Sequence, residues 1–247
     1  MAARCALVTG ASRNLGAAIA RRLGEDGWAV AVNYGKDDAA AAGVVEAVRL
    51  AGVDAEAFPF DVTEEAAVAT GIEAVRTRLG DPLVVVNNAT GPQPFISLEQ
   101  QSWEDYLGQL DFFVKAPLLL LHATAPAMKE AGFGRIVNIG SEVITTGTAG
   151  LGHYITAKAA MLGLTRAWAK ELGPHGITVN VIQPGWIPVE RHRGTPESEL
   201  EAYRELVAVG RQGVADDISG AVAFLASEGA AFVTGQSFAV NGGRTLD

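Results

Sequence analysis

The stretch CALVTGASRNLG, Cys5 to Gly16, decides how this chain is read. A short apolar run ends at Thr9 and passes through a glycine-bearing turn into a helical pattern that starts near Leu15. Gly10 admits a tight turn. Gly16 lets helix and strand pack closely while backbone N–H groups and the helix N-terminus face a pyrophosphate. A glycine-rich strand-to-helix turn also recurs by chance, so its meaning depends on what surrounds it.

Outward from this turn the pattern repeats. WAVAVN precedes a helical stretch from Asp37 to Ala51, AEAFPF one from Glu64 to Leu79, and LVVVN one near Trp103 to Met128. RIVNI precedes the helix carrying Tyr154, and ITVNVI follows that helix. Strands that are apolar throughout, alternating with helices, indicate a parallel sheet covered on both faces. Right-handed crossovers then predict an α/β, Rossmann-type doubly wound sheet of about seven strands, with its ligand crevice at the carboxyl ends of the strands. The chain shows no Pro/Ser linker and no repeat, and only Ala39 to Ala42 is compositionally biased, so residues 1–247 read as one domain.

Composition narrows the function. Hydrophobic residues make up 49% and charged ones 19%, the balance of an ordinary globular protein. A net charge of −9 argues against a nucleic-acid groove or an anionic membrane surface as partner. The lone Cys5 excludes an internal disulfide framework and a thiolate-rich metal site, and the histidines 122, 153, 175 and 192 show no metal-ligand spacing, so no metal is expected. The N-terminal apolar run is too short for a signal peptide, and the segment Ala116 to Met128 is interrupted by Pro117, His122 and Pro126. A soluble cytoplasmic protein is expected.

The chemistry concentrates between Asn138 and Lys170. Ser141 ends the apolar run RIVNIGS, and Tyr154 and Lys158 follow it. On a helix from about Gly152, a spacing of four puts the phenol and the ammonium on one face. A phenol titrates near 10, and a neighbouring cation lowers that value. A serine at a strand end can hold a substrate oxygen beside the phenol. Tyr-x-x-x-Lys pairs also occur on helices with purely structural roles, and the weight of this one comes from the rest of the chain.

TGASRNLG at 9–16, Asn87-Asn88-Ala89, Asp61-Val62-Thr63, RIVNIGS, Tyr154-Ile-Thr-Ala-Lys158, Gln183-Pro184-Gly185 and the closing VTGQSFAVNGG stand in the order and spacing of the short-chain dehydrogenase/reductases. The chain resembles that family over essentially its whole length, and in detail the branch of 3-oxoacyl-carrier-protein reductases and their relatives. The resemblance implies a nicotinamide-dependent oxidoreductase that interconverts a carbonyl and an alcohol. Tyr154 would be the general acid, Lys158 would bind the nicotinamide ribose and lower the tyrosine pKa, and Ser141 would orient the carbonyl. It assigns Gly10, Ser12, Arg13, Asn14, Leu15 and Gly16 of the turn, Asn33 and Tyr34 after the second strand, and Asn88 and Ala89 to the cofactor. Asp61 and Val62 would meet the adenine, Asn87 would help to hold the central strands, and Pro184, Gly185 and Ile187 would border the nicotinamide. Ile187 and Pro188 would open a substrate lid over about 187–213. The helices carrying Phe113 and Tyr154 would pack against their copies in a homotetramer or homodimer.

Charge bears on which cofactor is used. An acid after the second strand suits the ribose 2′-hydroxyl of NAD, and a basic residue suits the 2′-phosphate. Here that place reads Asn33-Tyr34-Gly35-Lys36, with no acid, and Arg13 lies inside the glycine turn. NADP(H) is therefore favoured over NAD(H), the alternative being that Arg13 and Lys36 are solvated surface charges. The short C-terminal region argues against the nucleotide-sugar epimerases of the extended branch.

The chain departs from the family pattern in three places. Asn14 stands where a middle glycine is usual, a change that also suggests a pteridine-reductase-like enzyme as an alternative; Asn tolerates positive φ better than other non-glycine residues. Thr90 follows Asn87-Asn88-Ala89 in place of glycine. Phe113 aligns with an asparagine that in the family holds a water linking the lysine to a proton relay, and phenylalanine offers no such hydrogen bond. Asp111 is a poor substitute, since it projects from another side of the helix. Either the relay runs by another route in a working reductase, or activity is reduced and the protein is a nicotinamide-binding sensor or scaffold; an alignment shift of one or two residues would remove the departure.

Helical spacing runs through TPESELEAYRELVAVGRQG, Thr195 to Gly213, and names no substrate. Trp103 and Trp168 read as core or interface, and Trp186, after the QPG turn, as a candidate substrate contact. His153 precedes the tyrosine and reads as a residue of the pocket mouth or of the surface.

Overall fold

The computed structural model describes residues 4–190 and 194–246. Strands β1 (Cys5–Val8), β2 (Ala29–Tyr34), β3 (Ala55–Pro59), β4 (Pro82–Asn87), β5 (Gly134–Ile139), β6 (Ile177–Pro184) and β7 (Ser237–Val240) form one sheet. Its order is β3-β2-β1-β4-β5-β6-β7, and every neighbouring pair is parallel. Successive side chains point to opposite faces, and both faces are dry: Ala6 and Val8 enter one core cluster, Cys5 and Leu7 the other. This is why the strands lack polar alternation.

Helices α1 (Asn14–Glu25), α2 (Asp38–Arg49) and α9 (Ala215–Ala226) supply Ile19, Leu23, Val45, Val48, Ile218 and Val222 to the first cluster. Helices α3 (Glu65–Leu79), α5 (Ala116–Ala131) and α7 (Gly152–Leu172) supply Ile72, Val75, Leu120, Met128, Trp168 and Leu172 to the second. Helix α4 (Trp103–Leu110) runs into α5 through one π turn, Asp111–Lys115, whose widened backbone carries the buried Phe113. Such turns are rare and cluster at functional sites. Short helices α6 (Val143–Thr146) and α8 (Glu197–Glu205) lie in the connections after β5 and β6.

The chain winds from β1 outward to β3, then returns to β4 on the other side of β1, and the crevice opens where the order reverses. Thr9, Asn88, Ser141 and Gly185 all follow strand ends at this edge.

Several expectations are corrected. Helical spacing up to Gly213 gives only α8, because the Val209 N–H is drawn to the Gly242 carbonyl at 3.1 Å and Gly210 turns with φ 69°. Residues 191–193 of the expected lid lie outside the described residues. Helix α9 was not anticipated: ADDISGAVAFLA has small and apolar residues on most sides and little periodic contrast. Trp168 is a core residue, whereas Trp103 is 62% exposed and stacks on Tyr106. In the run Leu118 to Leu121, Leu120 and Leu121 are buried within the chain and Leu118 is exposed. No helix among the described residues is long and apolar enough to cross a membrane.

Candidate active site

The end of the crevice at the turn after β1 is built from backbone. A Cβ on Gly16 would lie 2.4 Å from the Gly10 carbonyl oxygen and 2.7 Å from Asn88 Nδ2, so helix α1 can start this close only with glycine there. Gly10 has φ 60° and would meet the Ala89 Cα at 3.0 Å. Asn14 takes φ 50°, the one positive value among described non-glycine residues, so the substituted turn keeps its left-handed step. Thr9 ties the turn to β4: its hydroxyl accepts the N–H groups of Asn88 at 2.9 Å and Ala89 at 3.0 Å. The Asn88 side chain donates back to the Thr9 and Gly10 carbonyls at 2.8 and 3.2 Å. Arg13 precedes α1 without a side-chain capping bond, leaving the first-turn N–H groups to an anion. Those features fit a dinucleotide phosphate. Ser12 and Leu15 are partly buried beside them.

Further along this end, Asn33 spends its side chain on the protein. Its amide donates to the Phe58 and Phe60 carbonyls at 3.3 and 3.0 Å, and its oxygen accepts the Gly10 N–H at 3.3 Å. Tyr34 is buried in the core beside α2. Asn33 therefore braces the turn from beneath. Arg13 is exposed, 3.9 Å from Glu190, and Lys36 is exposed as well. Asp61 is exposed with its Oδ1 taking the Thr63 N–H and hydroxyl; these bonds hold its carboxyl below the usual range, with the cations of Lys115 and Lys36 adding to the effect. Val62 is buried behind it. Thr90 is exposed and bonds locally to Gly91 and Gln93.

At the other end the work is done by side chains. Lys158 is buried, and its ammonium donates to the Ile139 carbonyl at the end of β5, two residues before Ser141. Tyr154 sits one turn earlier on α7, its ring centroid 5.8 Å from the Lys158 nitrogen. Thus the helix-borne pair lies at the edge where β5 ends, two residues before Ser141. Phe113 lies against this pair: the Lys158 ammonium lies 3.7 Å from its ring centroid, and its ring meets that of Tyr154 edge to face at 5.6 Å. A π face against a buried ammonium is attractive by about 1 to 2 kcal/mol. Below, Asn87 donates to Asn138 at 2.7 Å and Asn138 to Thr165 at 3.0 Å, a buried rung from β4 through β5 to α7.

His153 is at neither the mouth nor the surface. It is 1% exposed, with its ring against Tyr106 of α4 at 6.4 Å and neither ring nitrogen hydrogen-bonded. Residue 153 lies one place from Tyr154, so a helix turns it away from the crevice.

Pro184 ends β6, Gly185 donates to the Val240 carbonyl at 3.2 Å, and Ile187 is buried. Trp186 is half-buried, its ring edge to face with Tyr203 of α8 at 5.3 Å. Two residues beside this turn escaped sequence reasoning. Glu142, next to Ser141, is buried, and the Tyr203 hydroxyl donates to it at 2.9 Å. Only the oddity of an acid immediately after the strand-end serine could have drawn attention to it.

A family model described as enoyl-(acyl carrier protein) reductase matches residues 10–245. The 3-oxoacyl-acyl-carrier-protein reductase FabG of Pseudomonas aeruginosa is 40% identical over 242 residues, 97% of this chain and 96% of that protein. The FabG protein of Staphylococcus aureus is 36% identical, covering 97% of each chain. Among solved structures, a blue fluorescent protein from a metagenomic library in complex with NADPH superposes with a TM-score of 0.89 at 37% identity, covering 98% of both chains. A short-chain dehydrogenase/reductase from Serratia marcescens gives 0.90 at 33% identity, again with 98% of both.

Proposed function

The chain belongs to the short-chain dehydrogenase/reductase family, an oxidoreductase acting on CH–OH or carbonyl groups, and from that premise we propose that it is an NADP(H)-dependent reductase of a 3-oxoacyl thioester, ketone or similar carbonyl, or catalyses the reverse oxidation. The observation that carries this reading is the anchoring of Lys158 on the Ile139 carbonyl, which brings Tyr154 to the strand end that bears Ser141.

In this reading the turn 10–16, with Asn88 and Ala89, holds the phosphates, and Asp61 and Val62 border the adenine. Pro184, Gly185 and Ile187 border the nicotinamide, which supplies hydride when bound. Tyr154 gives its phenolic proton to the substrate oxygen in reduction and takes it back in oxidation. The Lys158 ammonium favours the phenolate left behind and reaches the ribose. Ser141 holds the carbonyl oxygen beside the phenol, and Trp186 faces the substrate under a lid formed by 187–213. Arg13 meets the 2′-phosphate, for which its loose surface pair with Glu190 is a weak competitor. FabG relatives and the NADPH-bound neighbour support this cofactor. A cytoplasmic homotetramer, or homodimer, accords with the exposed Trp103, Leu107 and Leu118 on α4 and α5.

The test is consumption of NADPH by the purified protein with a panel of 3-oxoacyl thioesters, diketones, quinones and pterins. Turnover with some member is expected, and Tyr154→Phe should abolish it. A second reading, a nicotinamide-binding sensor or scaffold, is favoured by Phe113 against Lys158. It would be supported by tight NADPH binding with no turnover on the panel and by activity appearing in Phe113→Asn.

A further inference from the structure

Helix α8 has no buried residue, so apolar packing does little to hold it over the crevice. Beneath it Tyr203, Ile187, Val207, Val209 and Val240 line a cavity of about 230 Å³. The Tyr203 hydroxyl reaches across to the turn after β6. Tyr203 Oη accepts the Trp186 N–H at 2.7 Å and donates to Glu142 Oε1 at 2.9 Å, while the Trp186 ring meets the Tyr203 ring edge to face. Gly185 makes room for it, because a Cβ there would lie 2.6 Å from this hydroxyl. Glu142 is itself fixed to the same turn, its N–H donating to the Pro184 carbonyl at 3.0 Å.

We propose that Glu142 is a positioning residue: through the Tyr203 hydroxyl it pins α8 to the turn 184–186, so that the nicotinamide border and the substrate cover are set as one unit beside Ser141. Its role in the reaction rests on the reductase reading, whereas the latch itself does not. The Glu142 side chain suits the task because its oxygen accepts the phenol O–H, which an apolar side chain cannot do. Tyr203 can satisfy both neighbours only while it donates to one and accepts from the other. Burial pushes the Glu142 carboxyl up from its usual range, and the Tyr203 hydroxyl, Arg244 and Asn241 oppose that shift. The Tyr203 phenol is pushed up to about 12, first by burial, and remains a proton donor.

The experiment measures hydrogen exchange of the α8 amides, 197–205, together with NADPH-dependent kinetics on the best carbonyl of the panel. It compares the natural protein with Tyr203→Phe, Glu142→Leu, Glu142→Gln and the Phe/Leu double variant. Tyr203→Phe keeps the ring against Trp186 and removes only the hydroxyl. It and Glu142→Leu should each speed α8 exchange about tenfold and raise KM about tenfold with a smaller change in kcat. The double variant should do little more than either one. Glu142→Gln, which keeps a carbonyl acceptor, should stay near the natural protein. If Glu142→Leu does not fold, Tyr203→Phe and Glu142→Gln carry the test. Unchanged α8 exchange in Tyr203→Phe, or additive effects in the double variant, would overturn the proposal. Faster exchange in a protein that turns over no carbonyl would uphold the latch and count against the reductase reading instead.

Discussion

At one end of the crevice, a Cβ on Gly16 would collide with the Gly10 carbonyl at 2.4 Å; at the other, a buried ammonium lies 3.7 Å from the centre of an aromatic ring carried on a different helix. The end at the glycine turn is fixed by what the backbone cannot tolerate, the Lys158 end by what distant side chains offer one another. A constraint of the first kind leaves a local mark, a glycine at a fixed place in a turn. The second kind leaves almost none. The turn end takes its left-handed step at Asn14, while the other end sets Phe113 against Lys158 and places Glu142 beside Ser141.

If the two ends are separable, substitutions should split binding from turnover. Tyr154→Phe should lower kcat by about 10³-fold or more, while the Kd for NADPH, read by fluorescence, stays within about threefold. Gly16→Ala should do the opposite, weakening NADPH by about 10²-fold through the displaced turn. Equal loss of binding in both would break the comparison.

Phe113→Asn sharpens it. Emptying this buried ring position should cost about 2 to 4 kcal/mol in chemical denaturation and lower turnover, because Lys158 loses a face that steadies it. A rise in turnover would mean instead that the ring obstructs the lysine.

Arg13→Ala should weaken NADPH about tenfold and leave NADH unchanged, measured by parallel titrations. An equal loss for both cofactors would assign Arg13 to the turn and not to the 2′-phosphate.

The smallest effect concerns pH. Burial raises the folded Glu142 carboxyl above its unfolded value, so the stability linked to its proton is fully present below the unfolded value and is lost as pH rises through the folded one. Glu142→Gln removes that loss. Its stability relative to the natural protein should improve as pH rises through the usual carboxylate range and above it, seen in melting curves. A difference independent of pH would mean that Glu142 is not desolvated in solution.

The same contrast explains what could be read from the sequence. Sheet, order and crevice were legible because a strand buried on both faces must be apolar throughout, as β1 and β2 are. That Ser141 follows a strand end and that Tyr154 and Lys158 stand one turn apart on a helix was legible from the apolar run and the helical spacing. Asn33 and Tyr34 were expected to meet the cofactor, yet the Asn33 side chain braces the turn from beneath through bonds to the end of β3, and Tyr34 packs in the core. His153 looked like a residue of the pocket mouth, but the packing of α4 buries it against Tyr106. Nothing local links Glu142 to Tyr203, which meet only because the turn after β6 lies between them.

The most direct measurement follows the hydride itself: NADPH deuterated at the transferable C4 position, incubated with the protein and each carbonyl of the panel, and the product alcohol analysed by mass spectrometry. One deuterium on the carbinol carbon of a product, absent with Tyr154→Phe, is the expected result; tight NADPH binding with no labelled alcohol from any member would contradict the assignment of this site as a carbonyl reductase.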